Sequence, residues 1–413
     1  MSQQRRLALT ARLPARGTRG GPSSRRTRVL ATAVLCLSAV VSLAACGVGG
    51  LDRSGGAATP TGGNGGSGPL KGVCPDPIVV QTSWYPESTH GGLFELLGDD
   101  YTVDKAQKRA TGPLISHGKD TGVKLEIRAG GPALGNEPVS ALMATDKSIT
   151  LAQQATEEQV LGWASGQPTV AVIAPFDVDP VVFIWDRKRH PEFNNLQDVG
   201  QTSTKVLTFR SANIDYLLGA GILRPSQVDY SYDGSPSRLL ADRSIVVGGF
   251  STNEPFIYKS LGVDVGYQYV SETGYPDYRN MLVVRRDAQP RLNGCLKKLV
   301  PVLQQGMIDF MVNPEPVLRL IVRIDNEYAS PYPYPIEQGR AGVKVIKSDG
   351  LVENPASMRG AAFGAIDPDR VKRMLAILRP IYGAQKKSVP GDATPDTLAT
   401  NEYLDASLKL PGA

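Results

Sequence analysis

Histidine and cysteine are scarce in this chain, with three His and four Cys among 413 residues. There is no Cys-x-x-Cys pair, and His90, His117 and His190 are too scattered for ligand spacing, so no metal centre is expected. No Gly-x-Ser-x-Gly elbow or phosphate loop occurs either, which leaves the usual signatures of a hydrolase or a nucleotide-using enzyme missing. Acidic residues are lacking before residue 46, where Arg5, Arg6, Arg12, Arg16, Arg19, Arg25, Arg26 and Arg28 lie. The formal charge of +5 becomes −3 once these eight are set aside, which argues against a nucleic-acid partner. What is present, 41% hydrophobic and 21% charged residues, is ordinary for a globular chain long enough for a two-lobed body or two domains.

The acid-free start has the charged-then-apolar order of an export signal, residues 1–45, with the apolar stretch at Val29 to Ala45. Leu43-Ala44-Ala45-Cys46-Gly47 resembles a bacterial lipobox, in which the cysteine is acylated and the signal cut just before it. Cys46 is therefore the expected lipidation site and first mature residue. The alternative is a retained transmembrane anchor, at the lower limit of length for a span. Ser24-Arg25-Arg26 resembles a twin-arginine signal, although Arg28 departs from that pattern. Residues 46–72 are mostly Gly, Ser, Thr, Ala and Pro, a composition that cannot bury enough surface to order itself. As a flexible tether they would span about 28 Å root-mean-square. The expected location is the extracytoplasmic face of the cell membrane, lipid-anchored. Once Cys36 leaves with the signal and Cys46 carries lipid, Cys74 and Cys295 remain, and two thiols in an oxidising compartment often pair.

From Ile78 onward short apolar runs alternate with helical patterns. Strands are predicted at 78–82, 123–127, 149–152 and 169–173, with helices between, and this rhythm argues for a parallel sheet covered on both faces. Residues 181–185 and 205–209 restart the rhythm for a second lobe. Helical patterns at 296–305, 317–325 and 369–382 look like a return to the first. The expected organisation is lobe 1 from 73 to 180, lobe 2 from 181 to 280, and a return with C-terminal helices from 281 to 413. Such sheets bind ligands at their strand C-termini, around a shared crevice.

Two strand-end loops carry candidate chemistry. In Trp84-Tyr85-Pro86-Glu87-Ser88-Thr89-His90-Gly91-Gly92, the aromatics can stack a planar ligand, and Glu87 and His90 can hydrogen-bond it. The bland alternative is that the rings close the core and His90 caps a helix. In Gly248–Pro255, Asn253 and Glu254 are either ligand contacts or a helix cap ahead of Pro255. Arg210 and Ser211 could hold an anion at a helix N-terminus, and Arg210 is as easily a solvated surface residue.

Several short motifs then follow in order: Trp84-Tyr85-Pro86 with His90-Gly91-Gly92, Gly130-Gly131-Pro132, Thr252-Asn253-Glu254-Pro255, Tyr275-Pro276-Asp277-Tyr278, and Thr400-Asn401-Glu402-Tyr403-Leu404. This order resembles the solute-binding proteins of ABC importers of the thiamine-pyrimidine-precursor type, relatives of the nitrate, sulfonate and taurine binders. The resemblance implies an α/β, two-lobed type II periplasmic-binding-protein fold with a hinge and an interlobe cleft. It also implies a monomer that takes no cofactor, performs no catalysis and delivers a small-molecule ligand to an ABC permease. In such relatives an aromatic pair matching Trp84 and Tyr85 packs on a flat ring and an acid matching Glu254 bonds it. Gly131, Gln154 and Tyr278 complete the expected ligand set. Relative to the family, the segments Asp99–Gly122 and Asn313–Gly360 look lengthened. A small planar heterocycle is the expected ligand. A sulfonate or nitrate, an exported enzyme on the same scaffold, and a sensor reporting to a receptor are the alternatives.

Overall fold

The computed structural model describes residues 68–354 and 356–411. The signal, Cys46 and nearly all of the tether lie outside them. Among the described residues, twelve strands form two sheets. β1 (Ile78–Gln81), β2 (Thr102–Asp104), β3 (Arg109–Ser116), β4 (Lys119–Arg128), β5 (Leu151–Gln154), β6 (Thr169–Ile173) and β12 (Met281–Arg285) build the first, in the order β2-β3-β4-β1-β5-β12-β6. β7 (Val181–Asp186), β8 (Val206–Leu207), β9 (Val228–Asp229), β10 (Val246–Phe250) and β11 (Val265–Tyr269) build the second, in the order β11-β7-β10-β8-β9. The first sheet thus defines lobe 1 and the second lobe 2.

Twelve α-helices among the described residues connect or cover them: α1 (Gly91–Phe94), α2 (Val139–Thr145), α3 (Thr156–Ala164), α4 (Leu196–Gln201), α5 (Ala212–Gly219), α6 (Ser237–Ala241), α7 (Glu254–Ser260), α8 (Gln289–Val312), α9 (Pro314–Tyr328), α10 (Ile336–Ser348), α11 (Pro368–Ala384) and α12 (Pro395–Leu398). Among the described residues no helix is long and apolar enough to cross a membrane.

Burial explains the strands. β1 (IVVQ) and β6 (TVAVI) are buried along their whole length, so they read as continuous apolar runs. β1 is parallel to β4 and β5, as expected. The sheets are mixed, however. β12 returns from lobe 2 and inserts antiparallel between β5 and β6, and β7 is antiparallel to both β10 and β11. The lengthened region Asp99–Gly122 becomes the antiparallel edge β2-β3 laid against β4.

α9 shows helical periodicity. Val317, Leu318, Leu320, Ile321, Ile324 and Tyr328 are buried while Arg319 and Arg323 face out, a spacing that gives one apolar stripe. Its neighbours include α1 and β2, so it belongs to lobe 1. The Sγ atoms of Cys74 and Cys295 are 2.03 Å apart, a disulfide joining the start of the body to α8.

The chain crosses between lobes after β6 and before β12. Phe176 and Arg279 pair as an antiparallel bridge between these crossings. Arg279 Nε lies 3.0 Å from Asp179 Oδ1, and Arg370 of α11 reaches Asp177 Oδ1 at 2.7 Å and the Pro276 carbonyl at 2.8 Å. These contacts fix the hinge that positions the cleft.

Candidate functional site

The loop after β1 places the first cluster. Thr82 Oγ1 donates to the Trp84 carbonyl (2.8 Å), and Ser83 N–H donates to Gln153 Oε1 (3.2 Å), which turns the chain out of the sheet. Trp84 is then half-buried and Tyr85 buried. Gly131 sits against the Trp84 ring at φ +58°, in the left-handed region. A Cβ there would overlap the indole, so glycine is required on both counts. Asn280, also left-handed at φ 53°, accepts from Ser83 Oγ at 3.2 Å, and its own Nδ2 is buried without a hydrogen-bond partner.

The structure supplies an aromatic that the sequence reading missed. Tyr332, between α9 and α10, lies 5.4 Å from the Trp84 ring and 6.3 Å from Tyr85, both tilted. Its hydroxyl reaches across to the Asp233 carbonyl of lobe 2 at 3.4 Å. The available signal was the run Pro331-Tyr332-Pro333-Tyr334-Pro335 inside a segment already recognised as lengthened.

In lobe 2, Glu254 is the first residue of α7. Its Oε2 accepts the Phe250 N–H at 2.6 Å, while the residue stays half-buried. Burial pushes its carboxyl up to about 7; the Phe250 N–H opposes this and the Glu87 charge adds to it. Tyr232 and Tyr258 stand within electrostatic reach of Glu254, their hydroxyls buried and close to each other. Burial foremost raises both phenols.

Other candidates are placed differently. Glu87 is buried beneath the cleft, bonded to Thr89 Oγ1 and to Asn253 Nδ2, so Glu87 and Asn253 tie the lobes to each other. Burial raises the Glu87 carboxyl, against the hydrogen bonds from Thr89 and Asn253. His90 is buried, and burial depresses it to about 3 against a contact with the Tyr85 backbone, so it is neutral and enclosed.

Gln154 and Tyr278 do not line the cleft. Gln154 is buried in β5 with its amide oxygen taken by Thr169 Oγ1 (2.8 Å). Tyr278 is fully buried under the Arg370 guanidinium (3.7 Å to the ring centroid), and its hydroxyl accepts the Asp367 N–H. It belongs to the hinge. Arg210 is exposed, stacked 3.9 Å over the Tyr230 ring. Ser211 Oγ bonds Asn213 Oδ1, and the N-terminus of α5 is already served by a carboxylate from lobe 1, Glu157 Oε2, which accepts the Asn213 N–H at 3.0 Å. The expected anion position there is filled by the chain itself.

The fold is that of a two-lobed type II periplasmic-binding protein. It is shared with the periplasmic aliphatic sulphonate binding protein SsuA from Escherichia coli (11% identity, TM-score 0.51, covering 80% of this chain and 99% of that one). It is likewise shared with the ligand binding component of an ABC-type import system from Staphylococcus aureus (12% identity, TM-score 0.50, 79% and 97%). Residues 119–316 match the family model described as NMT1/THI5 like, the family to which the ordered motifs point. No curated protein matches the chain.

Proposed function

We propose that this chain is the extracytoplasmic solute-binding protein of an ABC importer, and that it holds a small planar heterocycle in the interlobe cleft between Trp84, Tyr332 and Glu254. The observation that carries this reading is the tilted ring pair Trp84–Tyr332 in lobe 1 together with Tyr232 of lobe 2, which stands within electrostatic reach of both Tyr332 and the half-buried Glu254. Flat apolar faces with one acid suit a neutral or cationic ring. A small oxyanion would meet Glu254 at close range, and Arg210 is committed to Tyr230 instead. The solved neighbours support transport as the class, and the name of the E. coli protein keeps a sulfonate in the test.

In this reading the ligand is bound without being turned over and is released to a permease in the membrane. Lipid on Cys46 and the 46–72 tether hold the body, working as a monomer, at the membrane surface.

The test is a thermal-shift panel on the mature body with aminopyrimidines, thiamine, flavins, sulfonates, nitrate and amino acids. A ligand at 100 times its Kd adds about 2.7 kcal/mol, a visible shift. Stabilisation by flat heterocycles supports the site. Stabilisation by oxyanions alone replaces it with an anion site, and conversion of the bound compound would make the protein an enzyme.

A further inference from the structure

The segment from Tyr332 to Leu351, containing α10, runs across both lobes. It is anchored in lobe 1, where Gly339 packs on Leu318 of α9, the Tyr334 N–H donates to Asp325 Oδ2 (3.1 Å), and the Tyr334 hydroxyl accepts the Ser88 N–H (2.9 Å). From this anchor it reaches lobe 2 at four points. Tyr332 touches the Asp233 carbonyl, and Gln338 Nε2 donates to Asn253 Oδ1 (3.3 Å). Gly342 lies so near the Thr252 carbonyl that a Cβ would stand 3.0 Å from it, and Asp349 Oδ2 accepts from the Tyr269 hydroxyl at 2.6 Å. The segment ends on the hinge, where the Leu351 carbonyl accepts the N–H groups of Asp177 (2.8 Å) and Val178 (3.1 Å).

Gly342 shows how close the fit is. A Cβ at that position would overlap Ser88 Oγ of lobe 1 as well as crowding Thr252 of lobe 2, so one backbone position of α10 is pressed against both lobes at once. Beneath it Asn253 carries the contact on, from Gln338 through its own amide to Glu87 of lobe 1. Gln338, Asn253 and Glu87 are all buried. Opening the lobes would strand these groups or demand rehydration of each, a cost a surface contact does not carry.

We propose that the 332–351 segment is a strap that holds the lobes closed in the absence of ligand, so that the cleft is reached by release of the strap rather than by free opening at the hinge. In a hinged binder without such a strap, the ligand's own contacts with both lobes supply the bias towards closure. Here contacts within the chain supply it, so the binding-competent form is already the populated one and little affinity is lost to closing. The consequence for ligand access rests on the reading of the cleft given above; the closed resting state does not.

The test therefore needs no ligand. Spin labels on the full mature protein at Lys147→Cys in lobe 1 and Lys259→Cys in lobe 2, both exposed positions, report the interlobe distance by pulsed electron resonance. The strap predicts one narrow distance for the unliganded protein. It also predicts a second, longer population in Gly342→Leu, whose side chain must lift α10. Because that variant could fail to fold, Gln338→Ala combined with Tyr269→Phe, which removes two of the strap's hydrogen bonds to lobe 2 without adding bulk, should shift the distribution in the same direction. A broad or two-peaked distribution in the unaltered protein overturns the proposal. So does an unchanged narrow peak in the folded double variant. Either result leaves the ligand panel, which reads binding, to stand or fall separately.

Discussion

Asn253 of lobe 2 donates its Nδ2 to Glu87 Oε2 of lobe 1 at 2.7 Å, a hydrogen bond between residues 166 positions apart and both buried. Each came from a different strand-end loop, and each was expected to touch ligand. Their pairing turns two candidate contacts into a lobe-to-lobe fastener.

Removing one partner of a buried pair strands the other. Asn253→Ala leaves Glu87 Oε2 without its donor and should lower unfolding free energy by about 1–3 kcal/mol. Glu87→Gln should cost less, because burial already raises that carboxyl and a neutral amide can still meet Asn253. Urea titrations of the two variants check the order; equal losses would mean that Glu87 is fully ionised and strongly held.

The ligand site makes a separate demand. Trp84→Ala and Tyr332→Ala each remove one of the facing rings, and each should weaken binding of a flat ligand at least tenfold, about 1.4 kcal/mol, without changing the fold. Arg210→Ala should leave affinity unchanged, since its guanidinium lies on Tyr230. Calorimetric titration of the best compound from the panel measures all three. A loss with Arg210→Ala and none with the ring variants would move the site to the oxyanion reading.

The disulfide closes a loop of 221 positions between the first residues of the body and α8. Constraint of so long a loop in the unfolded chain contributes about 2–5 kcal/mol. Replacing both Cys74 and Cys295 by Ser should lower the urea midpoint accordingly while leaving ligand affinity intact, because the bridge lies at the α8 end of lobe 1 rather than at Trp84 or Glu254. Parallel unfolding and binding curves on the double variant decide this.

How much of this was legible depended on whether a residue's neighbours are near in sequence. Thr169–Ile173 could be read because a strand buried on both faces leaves an unbroken apolar run. Gln154 and Tyr278 were misplaced because a strand-end position does not disclose where its side chain points. Their partners Thr169 and Asp367 lie 15 and 89 positions away. The β2-β3 edge escaped notice because Gly112 and Pro113 interrupt β3 and β2 has only three residues. α10 was missed for a related reason. Gly339 and Gly342 weaken its helical signal, yet these glycines let it press on Leu318 and Ser88. Tyr332 lay in a segment recognised only as extra length.

Glu254 sets a pH dependence whose sign follows from its environment. Its carboxyl is raised to about 7 from an ordinary 4.5, chiefly by burial. Between those two values the folded protein binds a proton at this site that the unfolded chain has lost. Stability from this group therefore falls as pH rises from about 4.5 to about 7 and changes no further above it. Glu254→Gln removes the titration. The amide oxygen can still accept the Phe250 N–H, so the local turn survives. Relative to the unaltered protein, the variant should gain stability steadily across that window and hold a constant advantage at higher pH. Raised carboxyls that do not act on Glu254, Glu95 and Glu157 among them, titrate equally in both proteins and cancel in the difference, whereas Glu87, whose charge acts on Glu254, contributes to it. Urea unfolding of the pair at pH 4.5, 5.5, 7 and 8 gives the curve. A flat difference would mean that Glu254 is ionised and solvated in the free protein, and the cleft would then lack the desolvated acid on which recognition of a cationic ring depends.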